Sequence, residues 1–163
     1  MFDFAAREQG KREWDLLIAH AFLDLMDIAT ALPSLLSLLK PGGLCYFSLN
    51  FDGVTSLEPA IEPVLDALIE RLYHQTMDDR VVNGRSSGDS RSGRHLFSLL
   101  RQNIVEILAA GSSDWVVFAG NAGYPADEAY FLQVIIYFIQ QSLQDHPQLD
   151  AAQFQAWLNQ RHA

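Results

Sequence analysis

WDLLIAHAFLDLMDIATALPSLLSLLKPGGLCYFSLNFDG, residues 14–53, decides the fold. Its first part, Trp14 to Ala19, is an apolar run without strict alternation, the pattern of a parallel strand covered on both faces. A crossover helix follows over about Ala29 to Leu39. Leu32, Leu35, Leu36 and Leu39 lie at i, i+3, i+4 and i+7 and form one apolar face, and Pro33 suits a first turn, where a missing N–H costs nothing. Pro41-Gly42-Gly43 stops the helix, and Leu44 to Asn50 is a second buried strand. Such a βαβ unit crosses over right-handedly, so both strands deliver their carboxyl ends to one edge of the sheet. His20, Asp24 and Asp27 follow the first strand, and Asn50, Asp52 and Gly53 follow the second. That edge is where open α/β sheets place ligands.

With 163 residues, 49% of them hydrophobic, the chain has room for one globular domain spanning 1–163. A formal charge of -9 excludes an extended phosphate-binding surface, so no nucleic-acid partner is expected. The single cysteine, Cys45, lies inside the second strand, which rules out a disulfide framework and makes an inert thiol. The first thirteen residues carry Asp3, Arg7, Glu8, Lys11, Arg12 and Glu13 and have no signal-peptide core. Ala129 to Leu143, broken by Gln133, Gln140 and Gln141, falls short of the roughly 18 to 20 apolar residues that span a bilayer. A cytoplasmic location without a membrane partner is the expectation.

Beyond residue 53 the chain turns helical. Ile61, Val64, Leu65, Leu68, Ile69 and Leu72 stripe a helix that starts near Pro59 and Pro63 and ends near Met77. GRSSGDSRSGR, residues 84–94, has three glycines, four serines and three arginines and no aliphatic residue; it is expected to be a mobile loop that cannot bury itself. A short helix with Leu96, Leu99 and Leu100 inward comes next, then a strand over Ile104 to Ala110 and a turn at Gly111 to Asp114. Trp115 to Phe118 is either a hairpin partner of that strand or its extension. The segment 126–161 is helical: a long helix apolar nearly all round, a break at His146-Pro147, and a last helix opened by Asp150 with Gln153.

Taken together, WDLLIAHAFLDLMD, LLSLLKPGGLCYFSLNFDG and the amphipathic helix after residue 94 resemble the second half of class I S-adenosylmethionine-dependent methyltransferases. The resemblance implies an α/β, partial Rossmann-like fold with a parallel βαβ core, flanking helices and a short antiparallel strand. It implies S-adenosylmethionine as cofactor and methyl transfer to a small-molecule acceptor in the intact domain. In the family a glycine-rich cofactor loop precedes these parts, and no G-x-G-x-x-G occurs here. The expectation is therefore a truncated or separately encoded half that is inactive alone. Its first strand shows a bare edge, and it associates with itself or with an upstream half-domain. The alternative is a non-catalytic subunit that docks through that edge.

Methyl transfer from a sulfonium asks the protein to align nucleophile and methyl group, and a base is needed only for a protonated nucleophile. The resemblance assigns Asp3 to the adenine and Ala19, His20 and Phe22 to the cofactor pocket, with His20 as the candidate base. A histidine that merely hydrogen-bonds a neighbouring loop is the plainer reading of His20. Asp24 and Asp27 suit the positive end of the following helix better than a carboxylate pair. Asn50 and Asp52 either orient the acceptor or build a turn around Gly53. Tyr73, His74 and Met77 are pocket-wall candidates or solvated helix-end residues. His74 and Asp78 are too few for a metal, so none is expected. Arg91 and Arg94, with Arg85, either gate the pocket or clamp a carboxylate or phosphate, or else sit in a solvated loop. Serine hydrolysis fails on spacing, since a G-x-S-x-G around Ser90 needs glycine where Ser92 stands.

Overall fold

A computed structural model describes residues 4, 7, 8, 14–82 and 84–162, in two compact units: residues 1–54 with 74–110, and residues 55–73 with 111–163. Asp3, the adenine candidate, lies outside the described residues.

In the first unit β1 (Trp14–His20) and β2 (Leu39–Ser48) pair in parallel, joined through a 3-10 turn (Leu23–Leu25) and helix α1 (Ile28–Leu36). Leu17, Ile18, Ala19 and His20 stand opposite Cys45, Tyr46, Phe47 and Ser48. The mixed α/β class, the parallel unit and Asp27 at the start of the helix are as expected; the helix bounds, the place of Pro33, the role of Pro41-Gly42-Gly43 and the cover of the sheet differ. Asp27 caps α1 by accepting the Thr30 backbone N–H at 3.2 Å and the Thr30 hydroxyl at 2.6 Å. This earlier start puts Pro33 in the second turn of α1 instead of the first. Pro41-Gly42-Gly43 is not a stop but part of an irregularity inside β2. The register jumps from Trp14 opposite Leu39 to Leu16 opposite Leu44, and Gly42 takes φ +78°. Lys40 meets Asp15 across that irregularity at 3.1 Å, an exposed pair worth about 1 kcal/mol at most.

The fourth difference concerns cover. Only one face of the two-stranded sheet is buried. Ala19 joins Leu23, Ile28, Leu32, Leu35 and Leu96 in a core flanked by Leu17, Phe47, Leu49, Leu99 and Leu100. On the other face Leu16, Ile18, Leu44 and Tyr46 are each at least half exposed. A parallel strand reads as apolar throughout because both faces expect a layer of helices. The described residues of this chain supply one. Within the core each aliphatic side chain contributes about 1.5–3 kcal/mol on burial. Asp27→Ala removes the α1 cap and is expected to lower the stability of this unit by about 1 kcal/mol, read from a urea unfolding midpoint.

Helix α2 (Pro63–Asp78) places Pro63–Tyr73 in the second unit and His74–Asp78 in the first. Next come a small antiparallel hairpin, β3 (Val81–Val82) with β4 (Arg85–Ser86), and helix α3 (Ser92–Gln102). The strands expected over 104–110 and 115–118 are absent: residues 104–119 have no regular structure, and only an isolated Gly120–Gly123 bridge follows. Extended segments persist as strands only when a neighbour takes up their N–H and C=O groups, and β-propensity alone does not provide one.

The second unit is helical. Ile69 and Leu72 of α2 pack with Ile136, Ile139 and Leu143 of α4 (Glu128–Leu143) and with Phe154, Trp157 and Leu158 of α5 (Ala151–His162). Asp150 caps α5 through the Gln153 N–H at 2.9 Å, as the spacing suggested. Asp66 ties this unit together. Its Oδ1 accepts from Trp157 Nε1 at 2.6 Å and Arg161 Nη2 at 2.8 Å, and its Oδ2 accepts the N–H groups of Ile61 and Glu62 at 2.9 and 3.1 Å. Arg161 also donates to the carbonyls of Pro59 and Leu57, and its guanidinium lies 5.2 Å from the Trp157 ring. No helix among the described residues is long and apolar enough to cross a membrane.

Candidate functional site

The carboxyl ends of β1 and β2 meet at a polar pair. His20 Nδ1 shares a 2.8 Å hydrogen bond with the Ser48 hydroxyl, and the His20 ring stands edge-on to Tyr46 at 4.7 Å. Parallel register puts these groups on the uncovered face. Ala21 then turns the chain with φ +49°, and its N–H donates to the Ser48 carbonyl at 2.9 Å. His20 is thus placed at the strand end, as expected, but its two companions are elsewhere. Ala19 is buried under α1 and Phe22 is packed beside the same core. Asp24 keeps one carboxylate oxygen buried without a partner among the described residues.

The loop after β2 does something the sequence did not announce. Asp52 accepts the Arg94 backbone N–H at 3.1 Å and Arg94 Nε at 3.2 Å, while Arg94 Nη2 donates to the Asp52 carbonyl at 2.8 Å. Asp52 therefore anchors the first turn of α3, where a carboxylate is favoured. Gly93 permits the approach, because a Cβ there would sit 2.9 Å from the Asp52 carboxyl carbon. Two residues assigned separately to an acceptor are hydrogen-bonded to each other. Asn50 is exposed beside them. Phe51 lies against the His74 ring at 5.0 Å. Tyr73 instead belongs to the second unit, packed against its core, where burial raises its phenol pKa.

The stretch 84–94 corrects the loop expectation most. Ser87, Ser90 and Ser92 are buried. Ser87 donates its hydroxyl to the Leu25 carbonyl at 2.7 Å and its N–H to the Arg80 carbonyl at 2.8 Å, and Arg80 Nε donates back to the Ser87 carbonyl. Ser90 gives its N–H and its hydroxyl to the two oxygens of Asp78, at 2.7 and 3.2 Å. Small polar residues bury themselves here by satisfying one another and the flanking backbone, which aliphatic content cannot reveal.

This ordering opens a cleft of about 770 Å³ lined by the start of α1 (Met26 to Ala29), by Asp78, by Ser86 and Gly88 to Arg91, and by His95, Ser98 and Leu99 of α3. Inside it His95 Nδ1 lies 2.7 Å from Asp89 Oδ2, and Asp89 Oδ1 accepts the Arg91 N–H at 2.8 Å. An ionised carboxylate only accepts, so Nδ1 carries a proton here, and in the neutral ring Nε2 is the nitrogen with the lone pair. Of the substrate and cofactor candidates named from sequence only Arg91 lines this cleft, joined by Asp27, Asp78 and Ser90, which were weighed for other roles; Asp89 and His95 were missed. They stand six positions apart with a helix start between them, so no periodic spacing marks the pair. The available signal was Asp89-Ser90-Arg91-Ser92 ahead of a leucine stripe, a helix-opening pattern. Among the described residues no group of three or more metal-ligating side chains occurs. Burial raises the Cys45 thiol pKa, as its place in β2 implies. Comparison with protein-family models, with curated proteins and with solved structures finds no match to this chain.

Proposed function

We propose that this chain supplies the second half of an S-adenosylmethionine-dependent methyltransferase domain acting on a small-molecule acceptor. The observation that carries the reading is the parallel register of β1 and β2 across α1, which brings His20 and Ser48 to one strand end. The uncovered apolar face and the outer side of each strand, unpaired among the described residues, fit a sheet continued by other polypeptide. In this reading His20 contacts the cofactor and Ser48 sets its ring.

Calorimetric titration with S-adenosylmethionine tests it, first on this chain alone and then after addition of a separately produced glycine-rich half-domain of the methyltransferase family. Heat of binding in either arm, lost in His20→Ala, is the expected result. Binding in neither arm overturns the proposal. A second reading, a non-catalytic subunit, is favoured by the same uncovered face. It predicts association with the half-domain without cofactor binding.

A further inference from the structure

We propose that His95, positioned by Asp89, is an acid–base group that accepts the hydroxyl proton of a phenol or alcohol bound in the 770 Å³ cleft. The inference concerns groups that the strand-end site does not use. Its methyl-transfer step rests on the proposed function; its proton step does not.

Three features support it. The Asp89 hydrogen bond fixes the tautomer in which Nε2 is the free base, and a ring held by one nitrogen presents the other on its far side. Asp89 is itself held by the Arg91 N–H, and the loop under it by Ser90 on Asp78, so the base does not depend on a floppy carrier. The imidazole side chain is 56% exposed while its carboxylate partner is 27% exposed, which leaves the base open to a ligand and its orienter shielded.

The surroundings select the ligand. The charged groups lining the cleft are Asp27, at the α1 cap, Asp78, Asp89 and Arg91. Three carboxylates against one guanidinium disfavour an anionic acceptor. Met26, Ile28 and Leu99 give the cleft an apolar wall suited to a ring or short alkyl group. A neutral hydroxyl compound fits that combination. The step balances simply: the O–H bond breaks toward Nε2 and its electron pair stays on oxygen. In methyl transfer an oxygen lone pair forms the bond to the methyl carbon while the carbon–sulfur pair leaves with sulfur. His95 then returns its proton to water.

Nitrogen-15 NMR of the full chain tests the proton step without any cofactor. In the wild type at neutral His95 the Nδ1–H tautomer should dominate; in Asp89→Ala the Nε2–H form should appear. Added 4-nitrophenol should shift the His95 Nε2 resonance and leave His20 unmoved, and the shift should be lost in Asp89→Ala. His95→Gln, which keeps a hydrogen-bonding side chain, should fold as the wild type does by circular dichroism and lose binding of the neutral phenol, read from the line widths of the probe's own proton resonances. An Nε2–H tautomer in the wild type, or no phenol response at His95, overturns the proposal. If S-adenosylmethionine fails to bind while these responses appear, methyl transfer falls and the acid–base cleft stands. Where methyl transfer is reconstituted, His95→Gln should slow it about 100-fold or more.

Discussion

Gly88→Ala is expected to collapse the cleft and cost the first unit about 3 kcal/mol, among the larger effects of a single methyl group in this chain. A Cβ at Gly88 would lie 2.2 Å from the Met77 carbonyl oxygen, a backbone atom that no rotamer change can move. Relief requires the loop to lift off the end of α2. Lifting it strains the Ser90 bonds to Asp78 and the Ser87 bond to the Leu25 carbonyl, leaving buried polar groups short of partners. Gly84→Ala is the matched control. Gly84 has φ +74° and open space around it, so only the left-handed backbone penalty of about 1–2 kcal/mol applies. Urea midpoints should rank wild type above Gly84→Ala and Gly84→Ala above Gly88→Ala. Equal midpoints for the two variants would show that Gly88 is not sterically confined.

Asp66→Ala should destabilise the second unit by about 3 kcal/mol. The change strands Arg161, whose side chain is 8% exposed, and leaves the Trp157 N–H and two backbone N–H groups without their acceptor. The same carboxylate makes stability depend on pH. Burial by itself would raise the Asp66 pKa, but hydrogen bonds from Trp157, Arg161, Ile61 and Glu62 outweigh it and hold the pKa below its ordinary value. A lowered folded-state pKa gives stability that is fully present above the unfolded carboxylate pKa of about 3.9. That contribution disappears as pH falls through the folded value. Far-ultraviolet circular dichroism should show the wild type losing helix below about pH 4, whereas Asp66→Ala starts less stable at neutral pH and has less left to lose.

The two halves of the reading differed in how visible they were. The β1–α1–β2 unit was legible because apolar periodicity reports burial directly: Leu32 and Leu35 had to face a sheet, and Leu17 and Phe47 had to lie beneath a helix. The Asp150 cap was legible for a similar reason, since a side chain bonding three residues on leaves a fixed spacing. Pro41-Gly42-Gly43 misled because the same residues that end a helix also allow a kink within a strand. The strands expected at 104–110 and 115–118 failed for want of a neighbour, which propensity does not encode. The cleft was hidden most completely. One wall is the serine- and glycine-containing loop from Ser86 to Arg91, whose place rests on hydrogen bonds such as Ser90 to Asp78, and the Asp89–His95 pair joins that loop to the helix after it.

Pro33 has no N–H, so the Ala29 carbonyl one turn earlier receives no donor at i+4 from α1. Ala29 is among the residues that line the cleft, so the gap in the helix ladder falls in the part of α1 that borders it. The opening turns of α1 therefore lean on the Asp27 cap more than those of an unbroken helix would. Exchanging the proline for alanine restores the missing donor and should raise the urea midpoint of the first unit.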